Sequence, residues 1–239
     1  MPSTDQQGDR FWLTHVWLPL GVFVLLYVVI LIGNFDERIA NALFYDSNAR
    51  RWLGSGPGEW WARSLIHTGG RDLVRLIAVA TILVWALSFR LPRLRGIRRE
   101  AGYCALSIVA AISIVGGLKA TTNVDCPWDL SLYGGTRPHV TLFADRPDEL
   151  PRAKCFPGAH SASAFAMLCF YFALRDRSRR ASRLAFAGGA ALGIIFAFGQ
   201  QARGAHFISH DLTGAIIVWL VVAALYGWLL KPRPAKVGS

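Results

Sequence analysis

Val16-Trp-Leu-Pro-Leu-Gly-Val-Phe-Val-Leu-Leu-Tyr-Val-Val-Ile-Leu-Ile-Gly33 runs without one charged side chain. A helix needs about 17–25 mostly apolar residues to cross the hydrocarbon core of a bilayer. Gly33-Asn34-Phe35-Asp36-Glu37 follows directly, with no small-residue cleavage pattern, so this run reads as a retained helix and not a signal peptide. Five further apolar runs lie at about 73–89, 101–118, 160–174, 184–199 and 212–230. The fourth is short and polar at its start. Together they predict an all-α, polytopic membrane helix bundle with about six transmembrane helices. The chain, 53% hydrophobic over 239 residues, reads as one membrane domain spanning 1–239, with no separate soluble domain.

Charge sets the expected orientation. The net charge of +11 sits mainly in short loops. Arg90, Arg93, Arg95, Arg98 and Arg99 follow the second run. Arg175, Arg177, Arg179, Arg180 and Arg183 follow the fourth, and Lys231, Arg233 and Lys236 follow the sixth. Six alternating helices put all three groups on one side, and arginine and lysine collect in cytoplasmic loops. Both termini are therefore expected in the cytoplasm. The same arginines suit an anionic lipid surface. The long loops 34–72 and 119–155 have balanced charges and fall outside. No basic groove or recognition motif points to nucleic acid, and no nucleic-acid partner is expected. Trp52, Trp60 and Trp61 lie between Gly and Pro in the first long loop, where an interfacial anchor or a lid is expected.

Cys104 and Cys169 fall inside apolar runs and read as small hydrophobes. Cys126 and Cys155 bracket the outer loop. In an oxidising exterior they are expected to pair and restrain a loop of about thirty residues.

Three polar segments mark the outer ends of helices. They are Lys119–Trp128, Cys155–His160 and Gln200–Asp211. His160, His206 and His210 with Lys119 and Arg203 at one depth suggest chemistry on an anion. Neutral imidazole is a nucleophile and a proton carrier near pH 7. Cations neutralise a phosphoryl group and its transition state. If 206–211 is helical, His206 and His210 share a face and Asp211 is turned away from His206 by about 140°. Histidines at that spacing, with His160, also suit zinc. The nearby cations repel a metal ion and attract phosphate, so no metal and no cofactor are expected. Blander roles remain open: Lys119 as a snorkelling interface residue, and His160 as a solvated helix start. His15, His67 and His139 lack such company and read as structural or interfacial.

These segments resemble the signatures of the type 2 phosphatidic acid phosphatase superfamily. That pattern is Lys, six residues and Arg-Pro; then Pro-Ser-Gly-His; then Ser-Arg, five residues, His, three residues and Asp. This chain has Lys119, six residues and Cys126-Pro127; then Pro157-Gly158-Ala159-His160; then Gln200, five residues, His206, three residues and His210. The similarity spans most of a core at 100–220, with an external loop at 119–159. The Cys-Pro-Trp, Cys-Phe-Pro and Gly-Ala-His-Phe-x-Ser-His strings look like a bacterial branch. The resemblance implies a six-helix bundle, a metal-independent reaction and a phosphorylated membrane lipid as substrate. It makes His206 the nucleophile that forms a phosphohistidine, His160 the acid for the leaving oxygen and Lys119 a phosphate ligand.

Three departures define what the fold must supply. Cys126 and Gln200 stand where the pattern has arginines, and His210 stands where it has the orienting Asp. Arg203, Arg152, Lys154 and Arg137 are candidate replacement cations. Either His210 or, if the helix starts late, Asp211 orients His206. The resulting expectation is a lipid phosphatase in a bacterial inner membrane, with its site facing the periplasm or exterior. Lipid A, undecaprenyl diphosphate, phosphatidylglycerol phosphate and phosphatidic acid are open substrates. The alternatives are a lipid phosphotransferase and a non-catalytic lipid-phosphate binder or transporter.

Overall fold

The computed structural model describes residues 9–142 and 144–231. Arg233 and Lys236 of the basic tail lie outside the described residues. The architecture is a helix bundle. Helix α1 is Asp9–Ile32, α3 is Gly70–Leu87, α4 is Pro92–Thr121, α5 is Ala159–Leu174, α6 is Arg179–Ala202 and α7 is Ile208–Leu229. Each coincides with one of the six apolar runs. A short α2, Phe35–Ile39, and a two-stranded hairpin of β1 (Tyr45–Asp46) and β2 (Arg51–Trp52) occupy the first long loop. Trp60–Gly69, wound with π-type turns, leads directly into α3.

Helices α1, α4, α6 and α7 are long and apolar enough to cross a bilayer. Helix α5 is shorter, and α3 carries Arg71, Asp72 and Arg75 at its start. The apolar residues point both ways. Leu25, Leu76, Leu184 and Ile194 face outward, as lipid-facing residues do, while Ile108, Phe172, Phe196 and Val222 fill the interior. Burial in hydrocarbon gives apolar helices little reason to separate from lipid, so close packing and polar contacts must hold them together. Ala111, Ala162, Ala164, Ala166 and Ala223 supply small buried surfaces. Tyr103 donates from Oη to the Val222 carbonyl at 2.8 Å, joining α4 to α7. Trp219 donates from Nε1 to the His15 carbonyl at 2.7 Å, joining α7 to α1. Cys104 and Cys169 are buried and form no disulfide.

The long loop between α4 and α5 is tied down in several places. Cys126 and Cys155 form a disulfide with Cα atoms 5.2 Å apart. The buried Asp125 carboxylate accepts from Arg146 at 2.8 Å and from Arg137. Arg137 is therefore committed to the loop's own structure. Asp36, at the start of α2, accepts from the Ser209 backbone N–H at 3.0 Å and from its hydroxyl at 2.6 Å. It thereby satisfies orphan donors in the first turn of α7. Burial, the largest cause, raises the Asp36 pKa, and the Ser209 hydrogen bonds oppose that shift.

Trp52 departs from the interfacial expectation. It is buried against Tyr45 and Tyr133, at 5.2 and 4.8 Å between ring centroids. Trp60 remains exposed. The hairpin thus roofs the loop between α6 and α7: Gly54 N–H donates to the Ala202 carbonyl at 2.7 Å.

Candidate active site

Helices α4 and α6 end, and α5 and α7 begin, at the same end of the bundle. Lys119 therefore comes from the last turn of α4 and His160 from the first turn of α5. His206 comes from the turn between α6 and α7.

The shared face that a helical 206–211 would give His206 and His210 does not form; the helix starts late. Helix α7 starts at Ile208, with Phe207 extended at φ −84° and ψ 166°. His206 therefore precedes the helix, and the 100° per residue rule does not reach it. Its Nδ1 lies 2.7 Å from Asp211 Oδ1. His210 instead faces a pocket lined by Asp36, Glu37, His139 and Phe207, with its ring centroid 6.0 Å from that of His206. The extended turn brings Asp211, one residue beyond the motif position, to the imidazole.

The pair is buried and supported. Ser161 Oγ donates to Asp211 Oδ1 at 2.6 Å, and Gln201 Nε2 donates to Oδ2 at 3.1 Å. A carboxylate accepts only, so the contact assigns the His206 proton to Nδ1. The Nε2 lone pair is then free to act as a nucleophile. The carboxylate also stabilises the positive charge that an attacking imidazole acquires.

Gly158 makes this packing possible. A Cβ there would lie 2.7 Å from Asp211 Oδ1 and 3.0 Å from His206 Nδ1. Gly158, which stands where the second motif has its serine, is thus the floor on which the His–Asp pair rests. Gly158→Ala is expected to separate the pair and lower turnover by about 100-fold, with about 1–3 kcal/mol lost from overpacking. Turnover and thermal unfolding of the purified variant check both effects; turnover at the wild-type level would contradict the packing.

His160 stacks on Phe196 of α6, centroids 4.4 Å apart and planes within 10°. Its ring also contacts His67, centroids 4.5 Å apart. Lys119 lies within electrostatic reach of Asp211 and His210. Arg203 is half-buried, donates to Gln200 Oε1 at 2.7 Å and lies over the Trp128 ring at 5.7 Å. The residue standing at the third-motif arginine position therefore holds an arginine from the next helical turn. Burial, the largest cause, and then Arg63 lower the Arg203 pKa.

The structure does not gather every candidate. Arg152 and Lys154 are exposed on the loop between α4 and α5. Arg152 donates to the Ala120 carbonyl at 2.9 Å, beside Lys119. Among the described residues no cluster of His, Cys, Asp and Glu is arranged to hold a metal ion. Sequence reasoning missed Ser161 and Gln201 as supports for Asp211, and His67 as a neighbour of His160. The arginines at 63 and 71, flanking His67, were a readable signal for the last.

Fold and site together define an all-α membrane protein with a buried His–Asp pair, a second imidazole and flanking cations at one end of its bundle. The family model described as PAP2 superfamily matches residues 100–234, and the chain belongs to that superfamily. Membership implies phosphatase-type activity on phosphoesters. No curated protein and no solved structure matches the chain.

Proposed function

We propose that the protein is a metal-independent membrane lipid phosphatase, removing phosphate from a lipid phosphomonoester or diphosphate. The observation that carries this reading is the 2.7 Å contact of His206 Nδ1 with Asp211, which leaves Nε2 free to attack. In the first step Nε2 forms a bond to phosphorus as the bond to the leaving oxygen breaks. His160, protonated beside the bound phosphoryl anion, gives that oxygen its proton, and His206 carries the phosphoryl group. Water then attacks the phosphohistidine while His160 takes its proton. Phosphate leaves and both imidazoles return to their starting states. Lys119 and Arg203 neutralise the non-bridging oxygens.

Two observations support a site on the outer face of a bacterial inner membrane. The Arg-rich turns at Arg93–Arg99 and Arg175–Arg183 lie at the opposite ends of α4, α5 and α6 from the site. The disulfide in the outer loop fits an oxidising compartment. A site at the bilayer surface favours a substrate anchored in lipid.

The test is phosphate release by purified protein from phosphatidic acid, phosphatidylglycerol phosphate, undecaprenyl diphosphate and lipid A, in the presence of a chelator. Release from at least one lipid is expected, with the dephosphorylated lipid identified by mass spectrometry. Tight lipid binding without turnover across the panel would overturn the reading in favour of a binder. A phosphorylated second lipid in place of free phosphate would overturn hydrolysis in favour of transfer.

A further inference from the structure

The segment Trp60–Gly69 lies outside residues 100–234, yet it delivers His67 to the site. Close packing makes the delivery possible. A Cβ on Gly70 would lie 2.4 Å from the Phe196 ring, and one on Gly199 would lie 2.6 Å from Ile66. Both glycines let the segment settle against α6, whose Phe196 stacks on His160. The rings of His67 and His160 then meet with centroids 4.5 Å apart.

Each ring holds an unmet need. His67 Nδ1 and His160 Nε2 are buried with no hydrogen-bond partner among the described residues. Native proteins seldom leave such atoms unpaired, and those that persist call for an explanation such as a catalytic role or a missing ligand. The surroundings define the ligand's charge. His67 feels Arg203, Arg71, His206 and Arg63, and no carboxylate is prominent among its electrostatic neighbours. Burial first, then those four groups, hold its pKa down to about 4, so it meets a ligand as a neutral ring. A neutral imidazole with Nδ1 protonated is a hydrogen-bond donor to an anion.

We infer that His67 is a further ligand of the phosphoryl group, donating from Nδ1 to a non-bridging oxygen of the phosphate-bearing substrate beside His160. This rests on the phosphatase reading above. It adds, with Arg203, to the phosphate donors reduced where Cys126 and Gln200 stand in place of the motif arginines. The ligand chemistry is a phosphoryl dianion, from a lipid headgroup or from free phosphate.

The experiment compares the full-length protein with His67→Phe and His67→Gln in detergent micelles. Inorganic phosphate, as an inhibitor, and the preferred lipid, as substrate, are the two probes. His67→Phe keeps a ring against His160 but has no donor. It is expected to weaken phosphate inhibition by about tenfold and to lower kcat/KM by about 100-fold. His67→Gln retains an amide donor and is expected to recover much of both. Loss of lipid turnover with phosphate inhibition preserved would assign His67 to the lipid and not to the phosphoryl group, overturning the inference. So would His67→Phe within twofold of wild type on both probes.

A measurement on the wild type guards against a variant that fails to fold. Inorganic phosphate is expected to protect His67 and His160 together from diethyl pyrocarbonate, read by peptide mass spectrometry. Protection of His160 alone would overturn the inference while leaving the phosphatase reading intact. A wild type that neither binds phosphate nor hydrolyses any lipid would end both.

Discussion

Alanine at position 206 is expected to abolish phosphate release, by about 10⁴-fold or more, because it removes the atom that accepts the phosphoryl group. His206 is buried, and its imidazole is the partner of Asp211 Oδ1 at 2.7 Å. No other described imidazole has a carboxylate in that relation within the site. His160 stacks on Phe196, and His210 faces the neighbouring pocket. Substrate binding is expected to survive, since Lys119 and Arg203 remain. The decisive measurement is a rapid acid or base quench of turnover with radiolabelled phosphate. Wild type is expected to carry a base-stable, acid-labile phosphoryl label, and His206→Ala none. Full activity in the alanine variant would sink the mechanism.

The second large effect is expected at Asp211, not at His210. Asp211→Asn keeps size and removes charge. The asparagine amide can donate to His206 Nδ1, which then gives up its proton to Nε2. The nucleophilic nitrogen becomes the protonated one, and the imidazolium formed on attack loses its counter-charge. In other enzymes a comparable change at a histidine-orienting aspartate lowers turnover by about 10⁴-fold, and a loss of that order is expected here. His210→Asn is expected to cost less than about tenfold, because the Nδ1 of His206 is paired with Asp211 and not with the His210 ring. The two variants, assayed for kcat on the same lipid with unfolding temperatures as controls, separate the motif position from the geometric one. A larger loss at His210 than at Asp211 would reverse the assignment.

Much of the fold was legible from the apolar runs. A bilayer imposes a length and forbids unpaired backbone, so apolar runs of about 15–19 residues leave little choice but helix. All six runs coincide with helices. The histidines of the site were legible too, because Lys119, His160 and His206 stand at the motif spacings. What the residues left open was whether 206–211 is helical, and so whether His210 or Asp211 reaches His206. The sequence His206-Phe-Ile-Ser-His210-Asp211 has neither a proline nor a glycine to mark the helix start. The start is decided from elsewhere: Asp36, more than 170 residues upstream, accepts from Ser209 and stabilises the first turn of α7.

The sequence by itself determined that the chain is a helical membrane protein, where its helices run and which histidines stand at their ends. These follow from local hydropathy and spacing. Tertiary structure alone decided that Asp211 and not His210 meets His206, that Gln200 carries Arg203 into the site, and that His67 joins His160. Each depends on the distance between segments remote in the chain, set by close approaches at Gly158, Gly70 and Gly199. Spacing along one segment carries no information about such approaches, so only the folded bundle could reveal them.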